Sequence, residues 1–202
     1  MEEPLTAPTT WTRLVYDWSP DGEALLLSQR SPEAEWEEVW RFPVAAAPHA
    51  EAGARKIISH PAYRLWQPHF SPDGRWIVFE AVANSPSAAE STLYIMPAAG
   101  GPWTRITDSR QWDDKPRWSP AGKAIYFVSG RGGFFNVWGI HFDPSKGKPV
   151  GDPFRVTAFE RPGLMVPSDS ISEVELSLNQ DKLVLTMEEL SGSIWMLDNV
   201  GP

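Results

Sequence analysis

Ser19-Pro20-Asp21-Gly22 recurs as Ser71-Pro72-Asp73-Gly74, again as Ser119-Pro120-Ala121-Gly122, and in degenerate form as Ser177-Leu178-Asn179-Gln180. Each copy has the chemistry of a tight turn. Proline presets φ at about −65°, Asp or Asn suits the position after it, and glycine takes the positive φ that closes a hairpin. One such tetrapeptide marks only a turn. Four of them, 48 to 58 residues apart, mark a repeat of about the length of a four-stranded propeller blade.

The flanks of each copy agree. A bulky residue precedes the serine: Trp18, Phe70, Trp118 and Leu176. An apolar triplet follows: Leu25-Leu26-Leu27, Ile77-Val78-Phe79, Ile125-Tyr126-Phe127 and Leu183-Val184-Leu185. An apolar–aromatic pair then returns as Val39-Trp40, Leu93-Tyr94, Val137-Trp138 and Ile194-Trp195. Three units close with a short strand: Lys56-Ile57-Ile58-Ser59, Thr104-Arg105-Ile106-Thr107 and Arg155-Val156-Thr157. The strands are apolar on both faces, as expected where sheets stack and neither face meets water. The expectation is an all-β chain forming a β-propeller region of four consecutive four-stranded blades, spanning about 11–60, 61–108, 109–159 and 160–202. The recurring aromatics Trp40, Tyr94, Trp138 and Trp195 read as core between blades. Trp11, Trp103 and Trp112 fall off that register and read as exposed contact residues.

Bulk composition agrees. In 202 residues there are 20 prolines, 15 glycines and 11 tryptophans. Frequent chain breaks with bulky β-formers favour many short strands over helices. No cysteine is present, so no disulfide forms. A net charge of −8 argues against nucleic acid, because phosphate-backbone affinity rests on clustered Lys and Arg. No run approaches the ~20 apolar residues that span a bilayer, and Met1–Thr10 lacks the basic start and apolar run of a secretory signal.

The register resembles the TolB-type propeller repeat. The segments that carry the resemblance are Pro68-His69-Phe70-Ser71-Pro72-Asp73-Gly74 and Pro116-Arg117-Trp118-Ser119-Pro120 through Tyr126-Phe127-Val128-Ser129. The stretch from Ser191 to Val200 is similar to the closing segment of propellers in bacterial kinase- or regulator-linked sensor proteins. The resemblance implies a sensor or binding role, and an extracytoplasmic (periplasmic) setting. Leu5-Thr6 precedes the first turn as Ile106-Thr107 precedes the third, so residues 1–10 are expected to supply a closing strand beside Ile194-Trp195. Two arrangements satisfy this: a closed four-bladed ring, or an open half-propeller completed by another chain through self-association.

Catalytic constellations are not legible. There is no Gly-x-Ser-x-Gly elbow, and His49, His60, His69 and His141 lack metal-ligand spacing. No cofactor, metal or catalytic residue is expected. Gly130-Arg131-Gly132-Gly133 reads as a hairpin tip, and Glu33–Glu38 as an exposed acidic loop. Asp113-Asp114, beside Trp112, sit at the entrance to the innermost strand of the third unit, the part of a propeller that lines one mouth of the central channel. The equivalent stretches contribute Arg64, Trp66 and Gln67 in the second unit, and Glu173 and Glu175 in the fourth. Together they read as an acidic, aromatic-rimmed mouth for a cation or basic peptide, against the plainer reading that Asp113 and Asp114 cap turns and pair with nearby cations. The expected function is a non-catalytic binding, sensor or scaffold module for a protein or peptide partner. The alternative is the substrate-gating propeller of a prolyl-oligopeptidase-like serine peptidase, separated from its catalytic domain.

Overall fold

A computed structural model describes residues 5–44, 53–83, 90–161, 163–167 and 171–192. Strands β1 (Arg13–Trp18), β2 (Ala24–Gln29), β3 (Glu38–Pro43) and β4 (Arg55–Ile58) form a four-stranded sheet in that order. A second sheet comprises β5 (Tyr63–Phe70), β6 (Trp76–Ala83), β7 (Ser91–Pro97) and β8 (Thr104–Arg105). A third comprises β9 (Asp113–Trp118), β10 (Ala124–Ser129), β11 (Asn136–Asp143) and β12 (Lys148–Arg155). All their pairings are antiparallel. In the fourth unit β13 (Leu164–Met165) pairs with β16 (Glu188–Glu189), and β14 (Leu176–Leu178) with β15 (Leu183–Leu185). The chain is all-β, its successive sheets match propeller blades, and its described helical structure is one 3₁₀ turn at Ile171–Glu173.

The apolar triplets explain the stacking. Successive side chains of a strand point to opposite faces, so the middle residue looks one way and its neighbours the other. Leu26 packs with Leu65, Phe70, Ile77 and Phe79 of the second sheet. Val78 packs with Trp118, Ile125 and Phe127 of the third. Tyr126 packs against the cluster holding Leu176, beside Leu183 and Leu185 of the fourth. Each fully buried side chain of this size contributes about 1.5–3 kcal/mol, so the interfaces between sheets are the core. A hydrogen bond crosses one of them: Trp118 Nε1 donates to the His69 carbonyl at 3.1 Å.

The three regular turns are built alike. The amides of Gly22, Gly74 and Gly122 donate to the carbonyls of Ser19, Ser71 and Ser119, each at 2.8 Å, with φ of +75°, +70° and +66°. The serine hydroxyl accepts from the amide of Ala24, Trp76 or Ala124 five residues on. Successive turns nest: Gly74 faces the Pro20 ring, and a Cβ on Gly122 would lie 3.5 Å from Pro72 Cδ. The fourth turn departs from the expected register. Leu178 pairs with Leu183, whereas Trp118 pairs with Ile125. Ser177 therefore belongs to the strand, and the turn occupies Asn179–Lys182. Without proline or glycine, the Asn179 side chain makes the turn, accepting from the amides of Asp181 and Lys182.

Two other expectations are corrected. Trp103 is not an outward contact residue; it packs edge-on against Phe79 and Tyr94. Glu38 is not part of an exposed loop but is buried in β3, accepting from Lys56 Nζ at 2.9 Å and Trp40 Nε1 at 3.1 Å. Trp40, Tyr94 and Trp138 pack against the core clusters, and Trp195 lies outside the described residues. Leu5 packs on the first sheet with Leu25, Leu27 and Phe42. Ile194-Trp195, its expected neighbour, lies outside the described residues.

Candidate functional site

The first strand of each sheet faces the middle of the assembly, and three of these strands are bulged where they do so. The ladder of β1 with β2 shifts between Val15 and Asp17, that of β5 with β6 between Trp66 and His69, and that of β9 with β10 between Asp114 and Arg117. In β5 and β9 a residue of the bulge has a positive φ: 53° at Gln67 and 54° at Lys115, each immediately before a proline. A non-glycine residue in this region costs on the order of 1–3 kcal/mol. The bulge re-aims the side chains around it, here into a cavity of about 330 Å³ at the entrance ends of the inner strands.

Trp66, Trp112 and Leu14 supply apolar wall to that cavity, and Arg64, Gln67 and Asp114 supply polar groups. Five of the expected mouth residues are thus brought together: Arg64, Trp66, Gln67, Trp112 and Asp114. Arg64 is held at the rim, its guanidinium 4.7 Å above the Trp36 ring and 3.9 Å from Glu37. Asp114 lies 3.8 Å from Lys115 Nζ and accepts from the Lys115 amide at 2.6 Å. The remaining three residues sit elsewhere. Asp113 is fully buried, both its oxygens 2.9 Å from Arg131 Nη2. Burial pushes its carboxyl up, against hydrogen bonds from Ser129 and the Arg131 charge that pull it down. Arg131 stands within 5.3 Å of the Phe127 ring centre and 5.4 Å of that of Trp138, so the Gly-rich hairpin tip holds an anchor. Glu173 is exposed in the 3₁₀ turn. Glu175 is exposed and lies 3.5 Å from Arg117.

Three groups missed in the sequence complete the cavity: Tyr16, Glu80 and Lys115. Glu80 was detectable as a lone carboxylate in the apolar strand Ile77-Val78-Phe79-Glu80-Ala81-Val82. Burial drives its carboxyl well above the usual range, and the facing Asp114 carboxylate adds to this. Ser91 Oγ lies within hydrogen-bond reach of both Glu80 Oε1 and the Asp113 carbonyl, and its donation to Glu80, like the Lys115 charge, pulls the carboxyl down without outweighing burial. Burial, then the Glu80 and Asp114 charges, push the Tyr16 phenol above its ordinary range. With the protonated form of Glu80 favoured and Lys115 beside Asp114, the mouth is mixed in charge rather than acidic.

A second cavity, about 560 Å³, lies at the turn ends of the same strands, lined by Asp17, Trp18, His69 and Arg117 among others. His69 Nδ1 is 3.7 Å from Asp17. Burial lowers His69 to about 4 despite the Asp17 hydrogen bond, so its imidazole is neutral at pH 7. Among the described residues no three His, Cys, Asp or Glu are grouped to hold a metal ion, and no helix is long and apolar enough to cross a membrane.

Sheets stacked around inner strands that carry the site define a β-propeller. The TolB beta propeller domain family matches residues 17–174, and the chain belongs to that family. An uncharacterized protein of Agrobacterium fabrum is 29% identical over 122 residues, covering 60% of this chain and 36% of its own length. The uncharacterized peptidase YuxL of Bacillus subtilis is 30% identical over 112 residues, covering 54% of this chain and 16% of its own length. The chain thus spans well under half of either relative. Among solved structures, prolyl oligopeptidase B from Galerina marginata superposes with a TM-score of 0.57 at 14% identity, over 87% of this chain and 24% of that one. This is a likeness of fold.

Proposed function

We propose that the chain is a non-catalytic propeller module that recognises a protein or peptide partner at the cavity between Trp66, Trp112, Arg64 and Asp114. What carries the reading is convergence: strained inner strands of two blades deliver aromatic surface and opposed charges to one concave site. Aromatic and arginine side chains are the groups that dominate recognition energy at such sites. A kinase- or regulator-linked sensor would use the mouth in the same way, its ligand altering the contacts between blades.

A peptide library displayed on phage tests this. Trp66→Ala and Trp112→Ala should lower recovery of the peptides selected by the unmodified chain by at least about tenfold, the loss of roughly 1.4 kcal/mol. Equal recovery by both variants would refute the site. A second reading is favoured by the peptidase relative: a propeller gating access to a serine peptidase domain. Under it, supplying the chain alongside such a domain changes which peptide lengths are cut, while the phage selection yields no preferred sequence.

A further inference from the structure

The sequence pattern points to an acidic mouth for a basic ligand, but the charged groups of the cavity fall into two kinds. Three are buried and already engaged. Asp114 accepts from the Lys115 amide at 2.6 Å, and its other oxygen lies 3.8 Å from Lys115 Nζ and 3.5 Å from Trp112 Nε1. Lys115 is itself buried, and so is Glu80, whose protonated form is favoured by that burial. Arg64 is of the other kind. Its side chain is 46% exposed, and among the described residues its guanidinium makes no hydrogen bond. The Glu37 carboxylate approaches Nε to 3.9 Å, beyond hydrogen-bond length, and it lines a neighbouring pocket rather than this cavity. The charge that a ligand meets at the mouth is therefore positive.

This guanidinium is also held in place. It sits 4.7 Å above the Trp36 ring. An aromatic ring engages the face of a guanidinium, while the N–H donors lie in its plane, so the contact fixes the group without using a donor. A carboxylate arriving at that edge breaks no existing hydrogen bond, and the planar fork suits it. Arg64 stands at the rim, whereas Trp66, Trp112, Leu14 and Val82 supply apolar wall. We propose, on the reading of the mouth as a peptide site, that its partner carries an acidic side chain, Asp or Glu, paired with Arg64, and close to it an apolar side chain that fills the cavity beside Trp66 and Trp112.

The phage selection, followed by fluorescence polarisation with the selected peptides, tests this. Peptides fused to the coat protein through their C-termini offer no free terminal carboxylate, so an acid must come from a side chain. Sequences selected on the unmodified chain should share an Asp or Glu at a fixed spacing from an apolar residue. Changing that acid to its amide should weaken binding about tenfold. Arg64→Gln should bind the acid and amide forms alike, and Arg64→Glu should select Lys or Arg at the same place. Selected peptides that are lost with Trp66→Ala and Trp112→Ala but share no acid overturn the proposal and leave the peptide site standing. So does an acid preference that survives in Arg64→Gln, or an amide peptide that binds the unmodified chain as well as the acid. Recovery that neither tryptophan change lowers, or a selection that enriches no sequence, overturns both.

Discussion

Replacing Glu80 by Gln tests the proton assignment in the mouth. Glutamine copies the shape and donor–acceptor character of a protonated glutamate, so it can donate to Asp114 and accept from Ser91 as the neutral acid does. In the unfolded chain Glu80 ionises at about pH 4.3. In the folded chain burial and the Asp114 carboxylate raise that point well above it. Between the two values the folded state holds one proton more than the unfolded state, so stability falls as pH rises, by about 1.4 kcal/mol per pH unit. Glu80→Gln removes the titrating group and with it that slope. The two proteins should be of similar stability near pH 4.5. The variant should then gain on the parent as pH rises from 5, by up to about 1.4 kcal/mol per pH unit while the Glu80 proton is held. Urea unfolding followed by tryptophan fluorescence at pH 5, 6 and 7 measures the gap directly. A gap that is constant across this range, or one that favours the parent increasingly as pH rises, refutes the assignment.

Arg131→Ala leaves the Asp113 carboxylate buried without its partner and should cost about 3–5 kcal/mol in denaturant unfolding; Asp113→Asn added to it should recover part of the loss. The His69 imidazole should remain neutral in NMR titrations until the pH approaches about 4. Because its folded value lies below that of an unfolded histidine, its contribution runs opposite to that of Glu80, and stability through His69 is lost as pH falls below about 6.5. His69→Asn should flatten that acid-side loss in the same urea series. Gly147→Ala places a methyl group 2.1 Å from Trp76 Cη2 at a φ of +63°; it should lower stability by about 1–3 kcal/mol, and an unchanged melting temperature would contradict the packing of that ring.

The fold was legible because its signal is repetitive. Four triplets in register report which face each strand buries, and the Trp18, Phe70 and Trp118 positions locate the inner strands. The fourth turn was misplaced because Ser177 preserves a letter of the motif while the chemistry that makes a turn has moved to Asn179. The site was half legible. Trp66, Trp112 and Asp114 follow from their place at the entrance end of an inner strand. The separation of Asp113 from Asp114 follows only from the bulge at Lys115 and the reach of Arg131 from a neighbouring hairpin. Neither a positive φ before proline nor a partner 18 residues away is encoded in local pattern. Trp103 failed for the same reason, since its burial depends on Phe79 and Tyr94 arriving from other strands.

The nesting of Gly74 on Pro20 and of Gly122 on Pro72 ties each hairpin to the one before it. A Cβ at either glycine would meet that proline ring at ordinary van der Waals distance, 3.7 Å and 3.5 Å. The demand for glycine therefore comes from the left-handed backbone of the turn, at φ of +70° and +66°, and the cost of a larger residue falls on the hairpin itself rather than on the seam between units.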